Sequence, residues 1–218
     1  MTKPLTIIFL GKSGAGKGTQ AHYLEQDRSF HIIGMGDLLR AFTRRKNVVA
    51  ERIEKLISSG RLAPSWFVKY LWTNELMHIE PETNLVFDGS CRLMEEALML
   101  DEVLDWFGRT PPKVLLLDIS DAEATRRLLT RRQCEACKKI YLGDSLEAKS
   151  GVCPCGGKLV KRHDDQPDMI RNRLAYFQAD VMPVVEHYKK KGWLTIINGE
   201  QAPEKVHEDI LKHLKPGE

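Results

Sequence analysis

Residues 11–20 read GKSGAGKGTQ, and this stretch decides the fold. It contains two Gly-Lys pairs, but a phosphate-binding loop of the form G-x-x-x-x-G-K needs a glycine five residues before the pair. For the second pair, Gly16-Lys17, that glycine is Gly11, which directly follows the apolar run LTIIFL. For the first pair it would be Thr6, inside that run. The register therefore predicts Lys17 as the phosphate lysine, in a loop between a strand and a helix.

The composition is ordinary for a globular protein. Of 218 residues, 42% are hydrophobic and 29% are charged, and the net charge of +3 is too small to indicate a nucleic-acid partner by itself. No apolar run approaches the roughly 20 residues of a membrane span, and the N-terminus has no signal-peptide cleavage site. The cysteines are not spread out as in a secreted disulfide framework. We therefore expect a cytoplasmic monomer with no membrane or nucleic-acid partner.

Short apolar runs alternate with helical patterns along the chain. Runs that are apolar at every position are typical of strands buried on both faces, and their alternation with helices indicates a parallel α/β sheet with helices on both faces. The five predicted strands are 5–10, 31–33, 84–88, 113–119 and 193–198. The predicted helices include 20–27, 48–57, 65–77, 91–106, 121–129 and 169–188.

Two segments interrupt this alternation. Residues 34–63 are charged and mostly helical, whereas residues 130–165 are rich in Cys and Gly and have little apolar periodicity. Sheets of this kind bind ligands at the edge formed by the carboxyl ends of their strands, where such inserts emerge. We therefore predict a core of residues 1–33, 64–129 and 166–218 that carries both inserts.

The phosphate loop resembles that of the adenylate kinases and related nucleoside monophosphate kinases, written G-x-P-G-x-G-K-G-T-Q. The likeness continues in order at GDLLR (36–40), SSGRL (58–62), VFDGSCR (86–92), TRRLLTRRQCEAC (125–137) and LVKRHDDQPDMIRNRL (159–174). It implies a P-loop kinase with a five-stranded parallel sheet, in which 34–63 binds a nucleoside monophosphate (NMP) and 130–165 forms a lid. The implied reaction is the reversible, Mg²⁺-dependent transfer of a phosphoryl group from ATP to AMP, giving two ADP.

The resemblance also assigns the phosphate contacts. Transfer between two nucleotides brings many negative oxygens together, so catalysis is mostly positioning and charge neutralisation. Lys17 would contact the β- and γ-phosphates of the donor, and Arg40 and Arg92 the α-phosphate of the acceptor. The arginines that would close over the transferring group, as rigid forks suited to phosphate, are Arg131, Arg162 and Arg173.

Further positions follow from the same likeness. Asp88 would hold Mg²⁺ through water, with Thr19 nearby. Asp164 and Asp165 would orient the lid arginines when the lid closes, and Arg127 would stack on the donor adenine. The full set implied for ATP is Gly11, Gly14, Ala15, Gly16, Lys17, Gly18, Thr19, Arg127 and Gly199.

The likeness weakens at the acceptor base, whose implied site is Met35, Arg40, Arg61, Leu62, Gly89, Arg92 and Glu96. Gly34-Met35 replaces the family's Ser-Thr, and Glu96 replaces the glutamine that reads adenine. An ionised carboxylate only accepts hydrogen bonds, so it cannot satisfy the ring-nitrogen acceptor of adenine. We expect an acceptor specificity that is relaxed or shifted relative to a strict AMP kinase. The alternative is that the adjacent glutamate or a water molecule takes over and AMP is still the substrate.

Four cysteines lie inside the predicted lid: Cys134, Cys137, Cys153 and Cys155. Paired thiolates joined by a short hairpin suit a structural, tetrahedral zinc site, and the likeness is to the zinc-bearing lids of this family. The second pair is shortened to C-P-C, which strains the usual knuckle in which two backbone N–H groups support a sulfur. We predict a Zn²⁺ site, with reduced thiols or a disulfide as the alternatives.

Two smaller features concern charged side chains. Lys12-Ser13 replaces the usual Ala-Pro of the loop, which adds a positive charge beside the nucleotide and removes a φ constraint. Asp37 is expected to cap the helix that GDLLR opens.

Other functions remain open at this point. Within the class, the alternative is a UMP/CMP-type or broad-specificity nucleoside monophosphate kinase. From a different class, the chain could be a catalytically silent nucleotide- or RNA-binding zinc protein. A nucleotide-hydrolysing switch would need hydrolysis without an acceptor, and a closing lid predicts the opposite.

Overall fold

The computed structural model describes residues 3–143, 145–162 and 164–214. Its strands are β1 (Thr6–Leu10), β2 (His31–Gly34), β3 (Leu85–Asp88), β4 (Lys113–Asp118), β5 (Arg132–Cys134), β6 (Ile140–Tyr141), β7 (Leu159–Val160) and β8 (Leu194–Asn198). Residues 1–2 and 215–218 of the predicted core, and residues 144 and 163 of the predicted lid, lie outside the described residues.

The helices follow in the same order along the chain. They are α1 (Lys17–Arg28), α2 (Met35–Thr43), α3 (Val48–Ser58), α4 (Ser65–Leu76), α5 (Met94–Trp106), α6 (Asp121–Thr130), α7 (Leu146–Ser150), α8 (Pro167–Tyr176), α9 (Met182–Lys190) and α10 (Pro203–Leu214). A π-helical turn, Phe177–Val181, joins α8 to α9.

Five strands form a parallel sheet in the order β2-β3-β1-β4-β8, as the alternation of apolar runs predicts. All of β1 is buried, and Phe9 near its end is paired with Asp88 at the end of β3. This register places the loop that follows β1 beside the carboxyl end of β3. The sheet therefore brings the phosphate loop and Asp88 to one edge.

Apolar layers cover both faces of the sheet, because successive side chains of a strand point to opposite faces. Ile8 and Leu10 of β1 belong to one buried cluster, which includes side chains of α4, α5 and α9. Ile7 and Phe9 belong to the other, with side chains of α1 and α10. The predicted arrangement of helices on both faces is confirmed.

Three details differ from the expected elements. Helix α10 was not predicted, although Val206 and Ile210 have helical spacing and are buried. The predicted helix 169–188 is divided by the π-helical turn. The predicted helix 91–106 begins only at Met94, because the Glu96 carboxylate accepts a hydrogen bond from the backbone N–H of Leu93 and so caps the first turn.

The two inserts differ in construction. Helices α2 and α3 form the first and contribute Phe42 and Ile53 to the buried cluster on one face of the sheet. The second contains a three-stranded antiparallel sheet, β6-β5-β7, with its own small core that includes Tyr141 and Leu159. A membrane span would need a longer and more apolar helix than any in the described residues.

Candidate active site

The phosphate loop connects β1 to α1 through glycines that other residues could replace only with strain. A Cβ on Gly11 would lie 2.6 Å from the carbonyl oxygen of Leu117, so the loop approaches β4 more closely than a side chain allows. Gly16 has a φ of 95° and directly precedes α1. The free N–H groups at the start of this helix favour an anion, because they have no intrahelical partners.

Lys17 folds back across this loop. Its ammonium donates hydrogen bonds to the carbonyl oxygens of Gly11 at 2.8 Å and Lys12 at 2.9 Å. Desolvation lowers the pKa of Lys17 to about 8, and the Asp88 carboxylate opposes this shift. The guanidinium groups of Arg92, Arg131 and Arg173 also lower the pKa, and the value of about 8 includes their contributions. A cluster of cations that repel one another in this way favours the binding of a polyanion.

Two adjacent aspartates hold the lid arginines. Asp165 accepts two hydrogen bonds from Arg131, at 2.6 and 2.8 Å, and one from Arg173 at 3.3 Å. Asp164 accepts two from Arg162, at 2.7 and 2.9 Å, and also pairs with Arg173. Burial alone would raise the pKa of Asp164, but the bonds from Arg162 hold it below its usual range. The structure thus brings together all five residues that the sequence placed in lid closure.

Asp88 and Thr19 supply the oxygen donors expected for a magnesium site. A Cβ on Gly18 would lie 3.4 Å from a carboxylate oxygen of Asp88, so the glycine of GKGT brings this carboxylate close to the start of α1. Thr19 is half-buried in the first turn of the same helix. A carboxylate and a hydroxyl at the phosphate loop fit a hard cation that is bound largely through water.

Arg127 and Gly199, which the sequence assigned to ATP, both lie against the phosphate loop. Arg127 is buried, donates to Glu123 at 2.6 Å and reaches the carbonyl oxygen of Gly14 at 3.4 Å. A Cβ on Gly199 would lie 2.9 Å from a side-chain carbon of Ile119 and 3.4 Å from the carbonyl oxygen of Ala15. The segment after β8 can pack this closely against the loop because residue 199 has no side chain.

A small pocket lies where the acceptor base was expected. Its walls are mostly apolar, and its lining residues are Met35, Leu39, Leu62, Ala63, Val68, Gly89, Arg92 and Glu96. The Glu96 side chain is buried, and one of its oxygens accepts hydrogen bonds from the backbone N–H groups of Arg92 at 2.8 Å and Leu93 at 3.2 Å. Desolvation raises the pKa of Glu96. Because these bonds occupy one carboxylate oxygen, a base can contact the other without disturbing the helix cap.

Two expectations for the first insert need correction or refinement. Asp37 does not cap α2, because this helix begins directly at the end of β2 and Gly34 occupies its cap position. Instead the carboxylate of Asp37 accepts a hydrogen bond from Arg40 at 2.6 Å. Arg61 is exposed and contacts Ser59 at 3.4 Å, so the structure does not place it in the pocket.

The four lid cysteines converge, as their spacing predicts. All four sulfurs lie within 4.8 Å of one another, with Cys134 and Cys155 at 3.5 Å and Cys137 and Cys153 at 3.6 Å. Zinc–sulfur bonds of about 2.3 Å in a tetrahedron require sulfurs about 3.8 Å apart. The arrangement therefore fits zinc.

Sequence reasoning missed Tyr141 at this site. The sulfur of Cys134 receives the backbone N–H groups of Ala136 and Cys137, as in a regular knuckle. The sulfur of Cys153 contacts the Tyr141 hydroxyl at 3.1 Å and receives one backbone N–H, that of Cys155. The tyrosine thus replaces the backbone donor that the one-residue spacer removes. No local sequence pattern indicates this contact, because Tyr141 lies 12 residues before Cys153.

Fold and site together define a class of enzyme. A phosphate loop at the edge of a parallel sheet, arginines that converge on its lysine and a second pocket beside them are typical of a nucleoside monophosphate kinase, a phosphotransferase that acts between nucleotides. A sequence model of the adenylate kinase family matches residues 9–193. The chain belongs to the adenylate kinase family.

Relatives named adenylate kinase match over nearly their whole length. The adenylate kinase of Pelobacter propionicus is 33% identical over 213 residues, which cover 97% of both chains. That of Methanocella arvoryzae is 32% identical and covers 94% of this chain and 96% of its own. That of Caldicellulosiruptor saccharolyticus is 31% identical and covers 96% and 99%.

Proposed function

We propose that the protein transfers the γ-phosphoryl group of ATP to AMP, reversibly and with Mg²⁺, and that its acceptor specificity is relaxed relative to a strict AMP kinase. The observation that carries the transfer reaction is the arginine cluster at the phosphate loop. Arg131 and Arg173 meet on Asp165, at 2.6 and 3.3 Å, and their charges, with that of Arg92, lower the pKa of Lys17. Such a cluster supplies the charge neutralisation that a loose phosphoryl-transfer transition state needs, and no general base is required.

The proposed roles follow the positions of the side chains. Lys17 exchanges its bonds to the loop carbonyl oxygens for bonds to the donor's β- and γ-phosphates. Arg92 borders the acceptor pocket and, together with Arg40, binds the acceptor's α-phosphate. The groups that surround the transferred phosphoryl are Arg131, Arg162 and Arg173, held in place by their two aspartates. Mg²⁺, held through water by Asp88 with Thr19 nearby, would neutralise further phosphate charge.

The two inserts have different proposed roles. We assign acceptor binding to 34–63 and the lid to 130–165, on a core of 1–33, 64–129 and 166–218. The two aspartates, Arg131 and Arg162 lie near the ends of the lid segment, and Arg173 lies in the helix that follows it. When the lid closes, these residues cover the nucleotides, and the exclusion of water prevents hydrolysis of ATP. Zn²⁺ held by the four cysteines would be structural, since the lid has only a small apolar core.

The pocket around Glu96 supports the relaxed specificity. An ionised carboxylate oxygen accepts a hydrogen bond from an exocyclic amine, which adenine and cytosine both carry, but offers nothing to the ring acceptor beside that amine, N1 of adenine or N3 of cytosine. The remaining walls are apolar and discriminate weakly, because a hydrophobic pocket distinguishes similar groups by only about 1–3 kcal/mol.

The test is a panel of acceptors under saturating ATP. Initial rates are measured with AMP, dAMP, CMP, UMP and GMP. We expect AMP to be a substrate and at least one other base to reach a kcat/KM within about tenfold of it. Exclusive use of AMP would overturn the relaxed specificity, and higher kcat/KM with UMP or CMP would make the enzyme a UMP/CMP-type kinase. Tight ATP binding without turnover of any acceptor would overturn the kinase assignment.

A further inference from the structure

Lys12 is the charged residue of the phosphate loop that the family pattern does not explain. Its ammonium donates a hydrogen bond to the carbonyl oxygen of Ile119 at 2.7 Å and forms an ion pair with Asp121 at 2.6 Å. It also lies 5.8 Å from the centre of the Phe177 ring. The Lys12 side chain is only 16% exposed, so the ammonium is held by these contacts and its charge is matched by that of Asp121.

The backbone of the same residue supports the catalytic lysine. The carbonyl oxygen of Lys12 accepts hydrogen bonds from the backbone N–H of Ala15 at 3.1 Å and from the ammonium of Lys17 at 2.9 Å. A movement of the Lys12 peptide would therefore change the turn of the loop and the resting position of Lys17 together. The side chain that anchors this peptide can act on Lys17 without touching a nucleotide.

Asp121 connects this anchor to the donor side of the site. It is the first residue of α6, the helix that contains Arg127 and ends directly before Arg131. The ion pair thus ties the phosphate loop to the helix that leads into the lid. At the position of the family's proline, which restricts the loop backbone, this chain has Ser13, and the preceding residue forms an ion pair to a neighbouring helix.

We propose that Lys12 and Asp121 form a latch that holds the phosphate loop against α6, and that Lys12 is a positioning residue rather than a phosphate ligand. The proposal rests on the proposed function for its kinetic consequence, since Lys17 is taken to bind the donor phosphates. Small displacements of a positioned group have large kinetic effects, so loss of the latch is expected to weaken the use of ATP without affecting the acceptor.

The test is a double-mutant cycle of Lys12→Met, Asp121→Asn and the pair. If the two residues act as a latch, each single variant raises the KM for ATP by about three- to tenfold, and the double variant is no worse than the poorer single one. The KM for the acceptor stays unchanged. Lys12→Arg, which keeps the ion pair, recovers most of the loss. The control is Lys205→Met, which removes an exposed lysine paired with Glu208 and is expected to change nothing.

A phosphate ligand would give a different pattern. If Lys12 contacts phosphate, Lys12→Met weakens ATP binding, but Asp121→Asn leaves it unchanged or tightens it, because the variant releases a cation. That result, or additive effects in the double variant, would overturn the latch. The dissociation constant of a non-hydrolysable ATP analogue is measured in the same cycle. It tests the latch without turnover, so a failure of the kinase assignment would not be mistaken for a failure of the latch.

Discussion

The phosphate-binding side of the cleft and the acceptor base pocket meet at Arg92, yet they are built differently. On the phosphate side, several charged groups share one task, and the lid arginines are held by aspartates that each accept more than two hydrogen bonds. In the base pocket, apolar walls surround a single carboxylate that is already used in part as a helix cap. Charge is common to every nucleotide, whereas the base differs. Changes on the two sides should therefore have separable effects.

The largest expected effect is that of Lys17→Met. Removal of the ammonium eliminates the charge around which the arginines converge, and we expect kcat to fall by about 10²–10³-fold or more. Because the donor phosphates are the same in every reaction, the factor should be equal for all acceptors. The measurement is kcat with each member of the acceptor panel, with Lys205→Met as the matched control. A loss that differs strongly between acceptors would show that the two sides are not separable.

The same division limits what the sequence could predict. The fold was predictable, since apolar strands that alternate with helices indicate a parallel sheet and the loop after the first strand has a fixed register. The charged residues around the loop were assigned by the resemblance, and their role in binding phosphate stays a prediction. The contacts within the base pocket were less predictable. That Glu96 caps α5 with one oxygen depends on where the helix begins, and this start was predicted three residues too early. The contacts of Lys12 with Ile119 and Asp121 span more than 100 residues, so no local pattern indicates them.

A second prediction concerns the base pocket alone. In Glu96→Gln, the amide oxygen can still accept from the backbone N–H groups of Arg92 and Leu93, so the helix cap survives. The amide N–H₂ adds a donor for N1 of adenine. Guanine has an N–H donor where adenine has N1, so the amide N–H₂ opposes it. We expect the ratio of kcat/KM for AMP to that for GMP to rise by about ten- to a hundredfold, with little change in the KM for ATP.

The matched control for this variant is Glu95→Gln. Glu95 is the preceding residue, is exposed and forms an ion pair with Lys69 rather than facing the pocket. An equal shift in the AMP/GMP ratio in both variants would mean that Glu96 does not read the base. The pH dependence adds a second readout. Burial raises the pKa of Glu96, and only the protonated acid can donate to N1, so the ratio in the parent protein should rise as pH falls. In Glu96→Gln it should be independent of pH.

A third prediction uses the pKa of Lys17. It is lowered to about 8 in the nucleotide-free protein, so the ammonium is charged below that pH and loses its proton above it. The kcat/KM for ATP should therefore be level below pH 8 and fall about tenfold per unit at higher pH. Bound phosphates stabilise the ammonium, so kcat at saturating ATP should begin to fall only at higher pH. The midpoint should be the same for AMP and CMP, and a midpoint that moves with the acceptor would contradict the separation of the two sides.

The smallest effect on catalysis is expected at the lid, from Tyr141→Phe. This change removes the hydroxyl that supports the Cys153 sulfur and leaves one backbone N–H at the shortened pair. Loss of such an outer contact typically lowers metal affinity by 10–100-fold, and we expect about tenfold here. Competition with a chromophoric chelator measures the affinity for Zn²⁺, and the cobalt-substituted protein reports the sulfur environment by its absorption.

Tyr23→Phe is the matched control for the lid, because this variant removes a hydroxyl that contacts only Glu204 among the hydrogen bonds described. At saturating Zn²⁺, the activity of Tyr141→Phe should equal that of the parent protein with every acceptor, since a structural metal acts through the folding of the lid. When a chelator removes the metal, activity should fall by the same factor for AMP and CMP. A factor that differs between AMP and CMP would mean that the lid also influences the acceptor pocket. Effects on phosphate binding and on base binding would then not be separable at the lid.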